Sequence, residues 1–172
     1  MKIDKNIKIL WAIIIIITSV LVIIIAFVQY AKAKMKKIMS KNNFTNPTAQ
    51  KFRISSSFGN RIAPIPGAST YHNGIDVACP TGTPILSVAD GVVDNVWNDT
   101  NGGGLSIRIK HNDGYQTGYA HLSRQDVTAG QSVQKGKQIA LSGNTGNSSG
   151  AHLHFTLKYN GVAINPLNYF YK

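Results

Sequence analysis

Glutamate is absent from the chain: all seven acidic residues are aspartate. That removes a helical His-Glu-x-x-His metalloprotease and a glutamate-driven glycosidase from consideration, and leaves proton chemistry to His, Asp or Tyr. Cysteine is nearly absent too. The single Cys79 excludes an internal disulfide framework and any multi-cysteine zinc finger. Set in an apolar stretch with no base beside it in sequence, Cys79 reads as a small core residue, not a nucleophile. Negative charge is scarce against 18 Lys and Arg, giving a formal net charge of +11 over 172 residues. The excess is uneven: nine lysines and one Asp fall in residues 1–51, and the other nine basic residues share 52–172 with six Asp. A nucleic-acid binder would carry its basic stripe on the folded part, so no specific nucleic-acid partner is expected. The length allows one small domain plus something extra.

The extra part is a long apolar run. Residues 9–31 hold 23 consecutive uncharged positions interrupted only by Thr18, Ser19 and Gln29, enough to cross a hydrocarbon core of about 30 Å as one helix. Trp11 and Tyr30 stand near its ends, and Lys8 and Lys32 bracket it, as membrane interfaces favour. Ala31-Lys32-Ala33 has the form of a signal-peptidase site, but the run exceeds the roughly 7–15 residues of a signal-peptide core, which points to a retained anchor. After the span, Met35, Ile38 and Met39 fall at i, i+3 and i+4 among lysines, so the helix is expected to continue until Asn42-Asn43. It would serve as a surface-lying segment over anionic lipid or as a solvated stalk. The expected division is a basic tail at 1–8, a transmembrane helix at 9–31, a basic stalk and linker at 32–50 and a folded domain at 51–172. Membrane lipids are the expected partner of residues 9–41.

From residue 51 the period changes. Leu105-Ser106-Ile107-Arg108-Ile109-Lys110 alternates strictly, and turn residues recur every 8–12 positions. The pattern predicts an all-β domain, an antiparallel sheet or sandwich-like arrangement. Further strands are expected at Ile85 to Ala89, Val92 to Trp97, Tyr115 to His121, Lys137 to Leu141 and His152 to Lys158, with structural glycines between them.

Five histidines are present, at 72, 111, 121, 152 and 154. In His152-Leu153-His154-Phe155-Thr156-Leu157-Lys158 a period of two buries Leu153, Phe155 and Leu157 and puts His152, His154 and Thr156 on the other face. Two imidazoles on one face suit a metal, a catalytic role, or a solvated pair with neither. In His72-Asn73-Gly74-Ile75-Asp76, an extended segment would place the imidazole and carboxylate on one side. Both groups suit zinc, and three protein ligands with one open position define a catalytic site. Taken alone, Asp76 would equally cap a turn beside a solvated His72.

These segments together carry a family resemblance. Phe58-Gly59-Asn60-Arg61, His72-Asn73-Gly74-Ile75-Asp76, Gly82-Thr83-Pro84, Ala89-Asp90-Gly91-Val92-Val93, Tyr119-Ala120-His121-Leu122-Ser123, Gly143-Asn144-Thr145-Gly146 and His152-Leu153-His154-Phe155 resemble, in that order, the lysostaphin/LytM-type peptidoglycan metallo-endopeptidases. The match runs from about Ile54 to Pro166. The resemblance implies that His72, Asp76 and His154 ligate one zinc ion and that His121 and His152 flank the metal-bound water and the substrate. His111 matches no ligand position and is expected in a turn. The chain departs from common family patterns at Thr156, where an acid often stands, and at Ala151, where proline is frequent; the first leaves the orientation of the site open.

Zinc would acidify its water and polarise an amide carbonyl, with His121 and His152 as the acid/base pair in unassigned order. Ser142 to Gly150 is glycine-rich but lacks the lysine of a phosphate-binding loop, and is expected to wall a peptide groove. The expected function is a membrane-anchored endopeptidase acting on the peptide cross-links of peptidoglycan. The alternative is an inactive wall-binding or hydrolase-activating protein of the same fold. Lysines counted on either side of the span mildly favour the C-terminus inside, whereas the substrate lies outside. The expectation is a single-pass protein with its catalytic domain facing the cell wall, or else a protein of a bacteriophage virion membrane.

Overall fold

The structure, a computed structural model, describes residues 5–41, 44–49, 53–64, 67 and 69–170. It divides into two compact units, Met1–Asn43 and Phe44–Lys172.

The first unit is one helix, α1 (Lys5–Lys41). Its stretch Asn6–Lys34 is long and apolar enough to cross a membrane. Thr18 and Ser19 do not interrupt it, because both hydroxyls donate to the carbonyl of Ile15, at 2.9 and 2.7 Å. A hydroxyl satisfied inside its own helix exposes no unpaired donor to lipid. The expected stop at Asn42-Asn43 lies outside the described residues.

The second unit contains β1 (Arg53–Ser56), β2 (Gly59–Asn60), β3 (Tyr71–His72), β4 (Ile75–Ala78), β5 (Pro84–Leu86), β6 (Gly91–Asp99), β7 (Gly104–His111), β8 (Tyr115–Gln125), β9 (Ser132–Val133), β10 (Gln138–Ser142), β11 (His152–Tyr159) and β12 (Val162–Ile164), then a single turn, α2 (Leu167–Phe170). Every strand pairing is antiparallel. The main sheet runs β1-β4-β11-β8-β7-β6-β9, with β10 branching to β8 and β5, and β12 to β11; β2 and β3 form a separate ribbon.

Alternation decides which face is core. Leu153, Phe155 and Leu157 of β11 are fully buried, together with Ile75 and Val77 of β4, Ile107 and Ile109 of β7, and Tyr115 and Tyr119 of β8. The residues between them on β4 and β11 therefore face the opposite side of the sheet. A slip of one residue in either strand would exchange the two faces.

The folded unit starts earlier than the sequence pattern suggests. Residues 44–49 belong to it, seven positions ahead of the expected boundary at Lys51. The cause is Phe44, which is 9% exposed and sits edge-on to Tyr115 and Tyr169 at 5.4 and 6.0 Å. Thr45 N donates to Val88 O, and Thr48 bridges Ile85. One apolar residue in a polar, turn-rich stretch gives no periodic signal, yet it closes an aromatic cluster.

His111 also departs from expectation. It is the last residue of β7, not a turn residue. Its Nδ1 lies 2.9 Å from the Asp90 carbonyl and its Nε2 2.7 Å from Thr117 Oγ1. A carbonyl only accepts, so Nδ1 carries the proton and Nε2 accepts from the threonine hydroxyl. Burial pushes the pKa of this imidazole below its ordinary 6.5, and its contact with Asp90 only partly offsets that.

Two outcomes follow from this packing. A chain truncated to start at Lys51 should be less stable than one starting at Phe44 by on the order of 3 kcal/mol, the usual cost of deleting a buried phenylalanine, read from urea unfolding. For His111 the unfolded state binds the proton more readily than the folded state, so stability is full above about pH 6.5 and is lost as pH falls below it. His111→Gln should lower the thermal midpoint at pH 7 and lose less between pH 7 and pH 5 than the parent chain; equal losses would mean that folding leaves the proton affinity of this ring unchanged.

Candidate metal centre

The polar face of β4 and β11 builds the centre. In their register His154 stands directly opposite Asp76, with Leu153 opposite Val77. Cross-strand neighbours on one face are close enough for their side chains to meet, and His154 Nδ1 lies 2.8 Å from Asp76 Oδ1. His72 arrives differently. The segment from His72 to Asp76 is not continuously extended: β3 ends at His72, the chain bends at Asn73-Gly74, and β4 begins at Ile75. The bend packs so closely on β11 that a Cβ at Gly74 would strike the Phe155 carbonyl oxygen. It brings His72 Nε2 to 3.1 Å from Asp76 Oδ1 and 3.0 Å from His154 Nδ1.

The outer nitrogens fix the tautomers. His72 Nδ1 donates to the Ser57 carbonyl at 2.8 Å, and His154 Nε2 to Asn73 Oδ1 at 3.1 Å. Neutral rings held this way turn two bare lone pairs toward each other and toward a carboxylate oxygen. That arrangement is repulsive unless a proton or a cation sits between them. Tetrahedral bonds of about 2.0–2.1 Å separate ligand atoms by about 3.3 Å, close to the spacings found, so His72, Asp76 and His154 fit one small divalent cation. The other carboxylate oxygen, Oδ2, accepts from Arg61 Nη1 at 3.3 Å, and the same nitrogen donates to Ser56 Oγ at 2.7 Å. Burial would raise the pKa of Asp76, but His154 and His72, when a second proton makes them cationic donors to it, outweigh that and hold the carboxyl well below the usual range. Burial lowers that of His154, against the pull of Asp76.

Two further imidazoles face the same space. Strand β8 follows β11 through Ala120 and then pairs with β10 from Leu122 onward. The pairing with β7 slips over the same stretch, Leu105 facing Leu122 and Ile107 facing Tyr119. At this fork His121 adopts φ +59, an uncommon conformation for a non-glycine residue and one found at functional sites. Its Nδ1 donates to the Thr145 carbonyl at 2.8 Å, which leaves Nε2 as the free nitrogen. His152 Nδ1 donates to the Gly150 carbonyl at 2.7 Å, and its Nε2 lies 3.7 Å from Asp76 Oδ1. The rings of His121 and His152 are 4.6 Å apart. Burial lowers the pKa of His121, with the hydrogen bond to Thr145 opposing it.

All five expected site residues line one cleft of about 550 Å³, walled by Asn101 to Gly103 on one side and Asn147 to Ser149 on another. Asn147 N donates to the Gly102 carbonyl, which ties the two walls together. A Cβ at Gly146, which has φ +73, would collide with Gly102 and Gly104, so the interlock needs glycine there. The orienting groups Asn73, Arg61 and the carbonyls of Ser57, Thr145 and Gly150 have no assigned role in the sequence reading. Asn73 and Arg61 do stand within the quoted motifs, but a backbone carbonyl leaves no mark in a sequence. Asn73, not position 156, holds the outer nitrogen of His154. Cys79 is buried, and burial raises its thiol pKa.

Comparison with known proteins places this geometry. Residues 70–166 match the family model described as Peptidase family M23. The chain is 42% identical over 122 residues to the peptidoglycan DD-endopeptidase ShyA of Vibrio cholerae, covering 70% of this chain and 28% of that protein. Among solved structures, a zinc-containing peptidase from Vibrio cholerae matches with a TM-score of 0.66 and 36% identity over 72% of this chain and 39% of the other. The catalytic domain of lysostaphin from Staphylococcus simulans matches with a TM-score of 0.62 and 31% identity over 68% and 90%. The chain spans about a quarter to a half of the length of the curated relatives it matches. With a family model over more than half its length and a histidine-aspartate-histidine centre assembled inside the matched region, this chain belongs to peptidase family M23.

Proposed function

We propose that this chain is a zinc-dependent endopeptidase that hydrolyses amide bonds in the peptide cross-links of bacterial peptidoglycan, held at a membrane by α1. The observation that carries the reading is the convergence of His72 Nε2, Asp76 Oδ1 and His154 Nδ1 within 3.1 Å of one another, beside two imidazoles whose Nε2 atoms are free. Names of relatives support it: ShyA is a peptidoglycan DD-endopeptidase, and a matched structure is a zinc-containing peptidase.

Two nitrogens and one carboxylate oxygen suit Zn²⁺ with an open fourth position, and the ion when bound supplies Lewis acidity toward water and an amide carbonyl. The chain's own residues supply the rest. Nε2 of a neutral His121 or His152 accepts a proton, because in each ring Nδ1–H is committed to a carbonyl. The imidazolium so formed donates that proton at Nε2 to the departing amine, and a partner ring that carries a proton on Nε2 as well as on Nδ1 stabilises negative charge on the carbonyl oxygen by donating to it. Arg61 holds the outer oxygen of Asp76, which keeps Oδ1 turned toward His72 and His154. The walls formed by Asn101 to Gly103 and Asn147 to Ser149 leave room for an extended peptide between them. All three ligands and both acid/base candidates are present, which is what an inactive wall-binding relative would be expected to lack.

The helix and its flanking lysines support an anchor in contact with lipid along residues 9–41; the orientation, N-terminus inside and the 44–172 unit facing the wall, rests on where the substrate lies and runs against the lysine count.

Zinc content measured beside turnover on defined muropeptides tests the site. His72→Ala, Asp76→Ala and His154→Ala should lose metal and activity together, whereas His121→Ala and His152→Ala should keep near-stoichiometric zinc and lose about 10²–10⁴ in turnover, the size of a general acid/base contribution. A chelator should abolish activity and Zn²⁺ restore it. If His152→Ala strips the metal and His154→Ala keeps it, their roles are reversed. For the anchor, protease added to intact spheroplasts should digest the 44–172 unit, and protection of that unit would place it in the cytoplasm.

A further inference from the structure

A second groove, of about 390 Å³, adjoins the catalytic cleft and shares Arg61, Pro64, Asp76, Ser149 and His152 with it. Its character is different. The cleft walls contributed by Asn101 to Gly103 and Asn147 to Ser149 are neutral and polar. The second groove is lined by two guanidinium groups, Arg53 and Arg61, and its only acid is Asp76, already committed to His72, His154 and Arg61. Its remaining surface includes the apolar Ile62, Pro64, Ala78 and Ala151, with Ile62 94% exposed.

Arg53 stands on the edge strand β1, paired opposite Ala78 of β4. Its side chain is exposed and has no hydrogen-bond or ion-pair partner among the described residues. Elsewhere on this unit, positive side chains beside an acid are paired with it: Arg108 and Lys110 with Asp94, and Arg124 with Asp126. Arg61 places Nη1 on Asp76 and Ser56 and Nε on the Ser69 carbonyl, and its Nη2 has no partner among the described residues. Two guanidiniums with N–H groups unpartnered among the described residues, next to an apolar wall in a groove that reaches Asp76 and His152, form a receptor for a carboxylate on a short aliphatic stem.

Resting on the endopeptidase reading, we propose that this groove is the subsite for a carboxylate-bearing residue of the peptide substrate, with Arg53 as its principal recognition residue. The chain would then be selective for cross-links whose residues next to the cut carry free carboxylates, and would process uncharged bridges or amidated stems poorly. Arg53 contacts the substrate and none of the metal ligands, so its effect falls on binding and not on zinc.

The test uses the full chain, solubilised in detergent and loaded with zinc, and two synthetic cross-linked peptides that differ only in whether the carboxylates beside the scissile amide are free or amidated. The parent should favour the free acid by roughly tenfold or more in kcat/KM, the effect of one charge-assisted contact, with most of the difference in KM. Arg53→Gln should bring that ratio close to one with zinc content unchanged, and Arg53→Lys should restore part of it. Arg124→Gln removes an equal charge from a site bound to Asp126 and should leave the ratio as in the parent. Equal handling of both peptides by the parent overturns the proposal. So does a preference that survives in Arg53→Gln, since a carboxylate ligating the metal directly would behave that way. If the parent cleaves neither peptide, the endopeptidase reading fails, and the subsite is decided by calorimetric binding of the same two peptides. Tighter binding of the free acid that is lost in Arg53→Gln supports the subsite, and equal binding overturns it.

Discussion

The pairing of β4 with β11 is the constraint on which the centre depends. Asp76 and His154 are 78 positions apart in sequence, and one antiparallel register sets them face to face. The same register buries Ile75, Val77, Leu153, Phe155 and Leu157 on the reverse side, so the apolar core and the metal centre are opposite faces of one decision. Burying five such side chains is worth several kcal/mol, and it acts on the same register that sets Asp76 and His154 face to face.

Orientation comes from a second source. The four imidazoles of the site each commit one ring nitrogen to an oxygen outside it: those of Ser57, Asn73, Thr145 and Gly150. Three of these are backbone carbonyls. A carbonyl accepts only, so it selects a tautomer as well as a ring direction, and no change of side chain at the residue that supplies it removes that acceptor. The loops supplying these oxygens are themselves fastened, as when Asn147 N bonds Gly102 O and His121 N bonds Gly103 O.

What was legible in the sequence follows the reach of each interaction. The two-residue alternation of β11 showed directly that His152 and His154 share a face opposite Leu153 and Phe155, because strand geometry is local. The all-β, antiparallel character was legible for the same reason. The approach of His72 to Asp76 was expected for a reason the structure does not share: a bend at Asn73-Gly74 brings them together, not a continuous strand. Phe44 and His111 were misplaced because Tyr115, Tyr169 and Asp90 are distant in sequence, and Thr117 meets His111 only through the pairing of β7 with β8. Position 156 drew attention as a departure, yet Asn73, across the strand pair, does the orienting.

The fork at His121 has a consequence for the order in which the molecule comes into being. Strand β8 must be gripped on one edge by β11 and, past the bulge, by β10. Two of the five site histidines and aspartates, His152 and His154, reside on β11 itself. A ribosome-bound chain that has delivered residues 1–150 therefore carries an apolar helix, one imidazole and one carboxylate from the β3–β4 bend, and a β8 whose fork has not closed. It has no centre at all. The centre is complete only when the strand ending at Tyr159 lies between β4 and β8, in the interior of a sheet whose other members, β12 apart, precede it in sequence. Until β11 is delivered, such a nascent chain lacks His154, one of the three residues grouped at the centre, and His152 beside it.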